Sequence, residues 1–394
     1  MKIALFEFDY HGMLITTFCK MFETSEHSVT VFTTTKIYNE IKDQNDSSKV
    51  SYVIKGDENL KIFMDKNISF INSHNLIFFN TIASNYKTIY NTNFTIPTIF
   101  RIHNANTYLK PFQNLYVPKN LFELFKYISY VVREMITTLD FYYIKKLIKK
   151  FDYICLNDLY REEYVIKNKM IINDKIFPCI PFAISDSLSK ECNPLKNTLT
   201  ITIPGSIDKR RRDYNIIVST IKELTTQLNS PIELYLLGKP IGEYGNTIIA
   251  QLKDIEGEKF KLTSFNEYIS QNKFNRIIAE TDIILSPLII ENQFRIFKEV
   301  YGKSKSSGSV YDLITYGKLT IFPASFYNDK EMNKYVDYYT SSHSLGSIIL
   351  NYSNNRDELI RKSNALRNFL ITNYSSTKIV NKFEQDFEER FPSK

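Results

Sequence analysis

The chain has 394 residues, of which 43% are hydrophobic and 14% aromatic, and a formal net charge of +7. Single hydrophobic cores stop growing at about 250 to 300 residues, so this length predicts two domains. The charge excess is mild and spread along the chain, which fits an anionic small ligand or an anionic membrane surface as well as nucleic acid.

The apolar and cysteine patterns argue against a membrane-spanning or secreted protein. No run of about 18 apolar residues is free of charge, so no membrane-spanning segment is predicted. The opening "MKIALFEFDYHGM" predicts a first strand and not a signal peptide. The four cysteines lack metal-site spacing, which predicts reduced thiols in a cytosolic protein and no metal site.

The first half of the chain alternates strand-like and helix-like segments. Runs rich in β-branched and aromatic residues predict strands in "KIALFEF", "HSVTVFTT", "KVSYVIK", "NLIFFNTI", "IPTIFRIH" and "FDYICLN". Helical periodicity predicts helices between them, for example over 13–23 and 61–72. Strands separated by helices imply right-handed crossovers, so we predict a parallel-sheet, Rossmann-like domain over residues 1–182.

A proline-containing stretch separates this half from a second alternating set. Periodicity fails near Pro178, Pro181 and Pro194, which predicts a linker over 183–198. Further strands are predicted in "TLTITIPGS", "IELYLLGKP", "FKLTSF", "DIILSPL" and "KLTIFPAS", with helices over 214–228, 248–252 and 268–279. A second Rossmann-like domain is therefore predicted over 199–374, followed by a closing helix within 375–394.

The resulting fold class is α/β, with two Rossmann-like doubly wound domains that face each other across a cleft. Ligands of such sheets bind outside the carboxyl ends of the strands.

One such strand end is followed by the glycine-containing turn "KSKSSGSVYDLITYGK". Its "VYDLITY" segment predicts a helix closed by Gly317, so Ser307, Gly308 and Ser309 lie at the helix N-terminus, where free backbone N–H groups bind anions. Lys303 and Lys305 supply positive charge, and Asp312 is placed to accept hydrogen bonds from ribose hydroxyls. The alternative is a serine-capped helix with solvated lysines.

A second candidate anion site follows the first strand of the same predicted sheet. "IPGSIDKRRRDY" places Gly205 after the strand, and Arg211 and Arg212 end a run of four basic residues before the next helix. Arginine forks match phosphate oxygens in a bidentate way, although such a run is also common on a solvated surface. Both sites face the ligand-bearing edge of one sheet, and this coincidence predicts a diphosphate ligand.

With these motifs the chain resembles the GT-B glycosyltransferases, and within them the family 4-like group. In that group a loop like "PGSIDKRRRDY" grips the donor diphosphate, a later strand ends in glycine as "LYLLGKPIG" does, and two acids flank a glycine-containing turn. Asp312 matches the second acid, whereas Ser304 stands where the first acid is a Glu. The resemblance implies an acceptor-binding first domain, a nucleotide-sugar-binding second domain, and a closing helix that returns to the first domain.

The other half of the cleft is expected at the first strand end of the first domain. "FEFDYHGML" places Asp9, His11 and Gly12 there. Gly12 would let the backbone approach a phosphate or sugar, and Asp9 or His11 would deprotonate an acceptor hydroxyl if the reaction inverts; the alternative is a loop histidine and an N-cap aspartate. The resemblance also implies that His103, in "FRIHNAN", touches the sugar.

The segment 119–150 combines seven basic and three acidic residues with many apolar and aromatic side chains. This composition suits a helix pair that contacts an anionic membrane surface and brings the cleft to a lipid-linked acceptor. It equally suits core helices with a charged outer face.

The resemblance thus implies a hexosyltransferase that uses a nucleotide diphosphate sugar and an oligosaccharide or lipid-linked acceptor in bacterial surface polysaccharide synthesis. It would act in the cytoplasm, at the inner face of the membrane, without cofactor or divalent metal, since no Asp-x-Asp motif is present. The alternative is a non-catalytic GT-B subunit that binds a nucleotide sugar or a partner glycosyltransferase, favoured by Ser304. No nucleic-acid module is recognisable, so a nucleic-acid partner is not predicted.

Overall fold

A computed structural model describes residues 1–44, 47–118, 120–185, 198–326 and 329–392. The chain forms two domains, each built on a parallel β-sheet. The first sheet has seven strands in the order β3-β2-β1-β4-β5-β6-β7. These strands are β1 (Lys2–Glu7), β2 (Ser28–Thr34), β3 (Val50–Lys55), β4 (Leu76–Thr81), β5 (Thr98–Arg101), β6 (Tyr153–Cys155) and β7 (Ile176–Phe177). Strands β1 and β4 are buried on both faces and read as continuous apolar runs, as parallel strands covered by helices do.

Eight α-helices belong to this first domain in the part of the chain that the structure describes. They are α1 (Gly12–Glu23), α2 (Thr35–Ile41), α3 (Leu60–Ile71), α4 (Tyr86–Asn91), α5 (Ala105–Leu109), α6 (Leu121–Val132), α7 (Asp140–Lys150) and α8 (Leu159–Lys167). All of them except α6 bury side chains against the domain. None of the described helices is both long and apolar enough to cross a membrane.

The second sheet has six strands in the order β10-β9-β8-β11-β14-β15. Its strands are β8 (Leu199–Pro204), β9 (Ile232–Leu237), β10 (Phe260–Ser264), β11 (Ile283–Leu285), β14 (Leu319–Pro323) and β15 (Asp337–Tyr339). An antiparallel hairpin, β12 (Glu291–Phe294) and β13 (Phe297–Val300), stands apart from this sheet. The helices are α9 (Tyr214–Leu224), α10 (Gly242–Lys253), α11 (Gln271–Glu280), α12 (Gly308–Tyr316), α13 (Ser342–Asn354), α14 (Arg356–Tyr374) and α15 (Ser376–Arg390).

In each sheet the direction of winding reverses between the first and fourth strands, β1/β4 and β8/β11. Ligands of doubly wound sheets bind at this reversal, outside the carboxyl ends of the strands. The predicted site residues that follow β1 and β8 therefore lie at the two reversals.

Every strand predicted from the sequence is present, whereas three helix boundaries differ. α9 ends at Leu224, α10 extends over the whole of Gly242–Lys253, and α11 begins after Ser270, whose side chain accepts a hydrogen bond from the backbone N–H of Lys273. The sequence did not predict β7 and β15, which are only two and three residues long, nor the β12–β13 hairpin.

The closing helix α15 packs on the first domain. Ile379, Val380 and Phe383 join the apolar cluster beneath α1, and the Phe383 ring meets Phe22 edge-on at 5.4 Å between centroids. Most of the predicted linker lies outside the described residues, as does Cys192. The three described cysteines are buried and free of disulfides.

The β12–β13 hairpin joins the two domains. Its backbone pairs with the first-domain segment near residue 115 in an antiparallel bridge. Tyr116 N donates to Ile296 O at 2.8 Å, and Lys298 N donates to Asn114 O at 2.7 Å. The buried Glu299 carboxylate accepts from the Thr107 N–H at 2.9 Å and from the Thr107 hydroxyl at 2.6 Å. Backbone and side-chain bonds of this kind hold the domains in contact on one side of the cleft.

Candidate functional site

The N-terminus of α12 forms the first wall of the site. Ser307 caps the helix by accepting a hydrogen bond from Ser309 N at 3.2 Å, and Gly317 ends the helix in the left-handed conformation (φ 55°). A Cβ atom on Gly308 would meet no atom within 4 Å, so this corner is open. Ser309 accepts a hydrogen bond from Ser286, just after β11, which ties the corner to the sheet edge.

The arginine loop after β8, residues 205–213, forms the second wall. Gly205 has φ +90°, and a Cβ there would lie 2.6 Å from Nη2 of Arg212, so both the turn and the guanidinium require glycine. Arg212 donates through Nη1 to Ser206 O at 3.2 Å, and its buried Nε has no hydrogen-bond partner among the described residues.

The two walls meet. The backbone of the arginine loop bonds the segment after β11, from Asp213 N to Pro287 O (2.8 Å) and from Ile289 N to Arg211 O (3.0 Å). Burial raises the pKa of Asp312 to about 7, and the Arg212 guanidinium opposes this shift. The predicted diphosphate contacts therefore lie at one edge of one sheet.

The two lysines of the α12 turn diverge. Lys305 lies against the arginine loop: burial lowers its pKa, the Arg211 charge adds to that shift, and Nζ donates to Asn292 Oδ1 at 3.2 Å. Lys303 is half-buried. Burial raises the pKa of Tyr164 on α8 of the first domain, and the Lys303 charge opposes this rise. The charge of the arginine loop thus acts on Lys305, and the Lys303 charge acts on the first domain.

A buried polar chain runs across the strand ends of the first sheet. The Glu7 carboxylate accepts hydrogen bonds from Asp9 N, Tyr10 N and Asn80 Nδ2 at 3.0, 3.3 and 2.6 Å, and burial raises its pKa to about 7 despite these donors. Asn80 Oδ1 in turn accepts from Nη1 of the buried Arg101 at 3.1 Å. Glu7 thereby holds the loop that carries Asp9 and His11.

Two histidines lie together at the end of this chain. The His103 and His11 rings are 4.6 Å apart between centroids. His103 Nε2 donates to Asn80 O at 2.8 Å and Nδ1 accepts from Asn157 Nδ2 at 3.2 Å, so both of its ring nitrogens are engaged. Burial, with the Arg101 charge, lowers the pKa of His11 to about 4 and that of His103 well below its usual value. Both imidazoles are therefore neutral at physiological pH.

Asp9 and Gly12 are engaged in structural contacts. Asp9 accepts from Ala83 N at 2.9 Å and from the Ser84 hydroxyl at 3.1 Å, so its carboxylate is bound to the loop after β4. A Cβ on Gly12 would lie 3.1 Å from Ile41 Cγ2, so close packing of α1 on α2 accounts for this glycine. Among the described residues no hydrogen bond engages the His11 ring, which leaves it the freer of the three predicted catalytic side chains.

The sequence analysis did not single out the residues that join the two halves of the site. Ser306 Oγ accepts from Nη1 of Arg161, a fully buried side chain, at 3.0 Å and from Asn157 Nδ2 at 3.3 Å. Ser306 N donates to His103 O at 3.4 Å. Asn157 and Arg161 lie in the polar stretch "NDLYREE", and nothing in this local sequence distinguishes them from the surface polar residues around them.

Ser304 is buried inside this junction. Its hydroxyl accepts from Val300 N at 2.8 Å and its carbonyl from Ala105 N at 2.7 Å. The position where the resemblance expects a carboxylate is thus occupied by a residue that stabilises the domain contact.

Several solved structures share this fold. The chain matches the crystal structure of Anabaena HepE in complex with UDP with a TM-score of 0.64 and 11% identity, over 99% of this chain and 100% of that one. It matches a Staphylococcus aureus TarM mutant in complex with fondaparinux, α-GlcNAc-glycerol and UDP with a TM-score of 0.61 and 10% identity, over 98% and 99%. An α,α-trehalose-phosphate synthase (UDP-forming) from Burkholderia vietnamiensis matches with a TM-score of 0.53 and 8% identity, over 98% and 99%.

These likenesses confirm the predicted fold class, the two-domain GT-B fold of glycosyltransferases. No family model and no curated protein sequence matches the chain.

Proposed function

We propose that the protein is a glycosyltransferase that moves a hexose from a nucleotide diphosphate sugar to an oligosaccharide or lipid-linked acceptor. The convergence of the arginine loop and the α12 N-terminus at one sheet edge carries this proposal, because it gathers guanidinium, ammonium and free N–H donors around one position. The presence of UDP in the HepE and TarM structures supports a nucleoside diphosphate as the ligand.

The donor phosphates would be bound by Arg211, Arg212, Lys305 and the α12 corner of Ser307, Gly308 and Ser309, with Gly205 leaving room for Arg212. The Asp312 carboxylate would accept hydrogen bonds from the ribose hydroxyls. Fixed positive charge of this kind stabilises a departing diphosphate without reorganisation during the reaction. Lys303 and Gly12 remain predicted donor contacts. Lys303 is half-buried, and Gly12 lies where α1 packs closely on α2.

The histidine pair would act on the acceptor side. In an inverting transfer, the neutral His11 ring takes the proton of the acceptor hydroxyl. At the same time the acceptor oxygen bonds to the anomeric carbon, and the bond between that carbon and the diphosphate oxygen breaks. His103, whose two ring nitrogens are hydrogen-bonded within the protein, would position the His11 ring, and its contact with the sugar stays a prediction. Asp9 would act by holding the loop that carries His11.

We further propose that transfer needs no divalent metal, because the proposed phosphate contacts are themselves cations of the protein. Activity measured with EDTA should equal activity measured with Mg²⁺. The reaction would serve bacterial surface polysaccharide synthesis on the cytoplasmic side of the membrane, with peripheral membrane contact through residues 119–150.

A donor screen tests the proposal. Free UDP, GDP and ADP are compared by thermal shift, since a ligand bound to the native state raises the melting temperature. The nucleotide that stabilises the protein then identifies the sugar donors for hydrolysis and transfer assays. Absence of a shift with every nucleoside diphosphate would rule out the proposed donor site.

One observation favours the alternative of a non-catalytic subunit: position 304 carries a buried serine in place of a cleft carboxylate. Nucleotide-sugar binding without hydrolysis or transfer, across acceptors, would establish that alternative. Turnover of any donor would exclude it.

A further inference from the structure

Helix α6 is apolar on the outside. None of its twelve residues is buried. Leu121, Phe125, Ile128 and Val132, spaced to form one stripe along the helix, are 74%, 71%, 49% and 47% exposed, and Phe122 beside them is 67% exposed. A helix that packs into its own domain would bury this stripe.

The exposure is concentrated in one region. Of the twenty exposed large apolar side chains among the described residues, eleven lie between positions 112 and 142. A concentration of this kind marks an interaction surface, whereas scattered exposed apolar residues do not.

The second helix of this segment behaves differently. α7 buries Ile144 and Leu147 in the core of the first domain. The two interpretations of 119–150 therefore separate: α7 is a core helix with a charged outer face, and α6 is a surface helix whose apolar stripe no described residue covers. Lys119 lies outside the described residues.

Charge indicates which partner covers α6. The exposed charged residues from 120 to 150 are four cations, Lys126, Arg133, Lys145 and Lys149, and one carboxylate, Glu123. Lys126 Nζ lies 4.3 Å from the centroid of the exposed Phe122 ring, and both line an open groove of about 470 Å³ together with Phe125 and Arg133. Apolar side chains bordered by cations match the acyl boundary and headgroups of an anionic bilayer. A symmetric contact between two copies would instead bring like charges together.

The helix is tethered near the candidate site. The hydroxyl of Tyr130 on α6 accepts from Nη1 of Arg295 at 3.2 Å, and Nη2 of Arg295 donates to Ala83 O at 2.7 Å. Ala83 N donates to Asp9, on the loop that carries His11. A membrane bound to α6 would therefore lie on the acceptor side of the cleft.

We infer that α6 is a membrane-docking helix whose stripe of Leu121, Phe125, Ile128 and Val132 enters the surface of an anionic bilayer. This inference deepens the membrane contact in the proposed function, but its test needs neither donor nor acceptor.

The chain has no tryptophan, so one introduced tryptophan is a reporter without background. Phe125→Trp should shift its emission to the blue with vesicles of phosphatidylglycerol and phosphatidylcholine, and much less with phosphatidylcholine alone. Ile172→Trp, at a side chain 72% exposed and remote in sequence from α6, is the control that should not shift. Lys126→Glu should weaken binding to anionic vesicles, measured by sedimentation, by about thirtyfold, because it changes the local charge by two units and each unit near such a surface contributes about 1 kcal/mol.

Three outcomes would overturn the inference: no emission shift with anionic vesicles, an equal shift with both kinds of vesicle, or a shift that follows self-association in the absence of vesicles. A Phe125→Asp variant that keeps its melting temperature but still binds vesicles would also contradict it. Nucleotide binding, measured on the same preparations, reports separately on the proposed donor site.

Discussion

At the scale of single residues, the donor side rests on Arg212 and the acceptor side on His11. Both owe their properties to neighbouring residues: Gly205, in the same loop, leaves room for the guanidinium, and burial together with Arg101, distant in sequence, lowers the pKa of the imidazole. Three predictions follow from these surroundings.

Arg212→Ala should weaken binding of the selected nucleoside diphosphate by about 1.5 to 3 kcal/mol, as expected for a charge-assisted hydrogen bond. Isothermal titration calorimetry measures the loss. Arg210→Ala is the matched control, because Arg210 is in the same loop but 81% exposed and paired with Asp208, and it should change affinity little. Equal effects of the two variants would contradict the assigned role of Arg212.

Asp312→Asn should weaken binding of UDP or GDP more than binding of pyrophosphate, because only the nucleotides carry ribose hydroxyls. Titration of each ligand into the variant and into the wild type gives the ratio of the two Kd values for nucleotide and for pyrophosphate. Parallel losses for nucleotide and pyrophosphate would remove Asp312 from the ribose contact.

The pH dependence of transfer should report the lowered pKa of His11. A general base must be deprotonated, so kcat/KM falls as the pH drops through the pKa of the base in the free enzyme. Because burial lowers the pKa of His11 to about 4 from the usual value of about 6.5, protonation of His11 should not reduce the rate between pH 8 and about 5. The carboxyls of Glu7 and Asp312, whose pKa values burial raises to about 7, titrate inside this window, so the profile is measured at saturating donor for wild type, Glu7→Gln and Asp312→Asn. A half-maximal rate near pH 6.5 in all three proteins would exclude His11 in this environment as the base.

At the scale of elements, the β12–β13 hairpin is the connection that the strand-and-helix alternation did not reveal. It leaves the second sheet and pairs with the first domain near residue 115, and Arg295 at its turn reaches Ala83 and Tyr130. The hairpin therefore links three separate parts of the chain.

Arg295→Ala should remove both side-chain contacts and destabilise the domain junction by about 1.5 to 3 kcal/mol, the usual contribution of hydrogen bonds to a charged group. Hydrogen exchange should accelerate in α6 and in residues 83–86. Lys298→Ala, at an exposed position of the same hairpin, is the control. Unchanged protection of α6 in Arg295→Ala would show that another contact holds this helix.

At the scale of the whole molecule, two doubly wound domains behave as one unit if their contacts are strong enough. Glu299 with Thr107, the hairpin and the return of α15 to α1 all cross between the domains. We expect one thermal transition. A nucleotide that binds the second domain should raise the melting temperature of this single transition, and at a hundredfold excess over Kd it should increase the free energy of unfolding by about 2.7 kcal/mol.

Glu299→Ala should divide this transition, because the Thr107 N–H and hydroxyl lose a buried acceptor. Calorimetry should then show a second transition that is insensitive to nucleotide and belongs to the first domain. Two transitions in the wild-type protein, with only one shifted by nucleotide, would mean that the domains unfold independently.

Much of the fold and part of the site were predictable from local patterns. Buried parallel strands such as β1 and β4 are runs of mainly apolar residues, and Gly205 and Gly317 mark turns with positive φ, so the strands and these two turns could be predicted from the sequence. The order of the strands in each sheet was not predicted, and the two anion corners stay predictions. Glu7 and Arg101 gave no such signal, because a single charged residue at the end of an apolar strand has no recognisable period, and Arg161 is one of three consecutive charged residues of which the sequence does not show which is buried.

The amino-acid pattern alone therefore predicted the two-domain α/β architecture, which is confirmed, and a diphosphate site, which stays a prediction, since both depend on residues close together in the chain. Folding brought His11 to His103 and Arg161 to Ser306, and left α6 outside while α7 was buried. These outcomes depend on contacts between residues far apart in sequence, where burial sets the pKa and decides which of two similar amphipathic helices is covered.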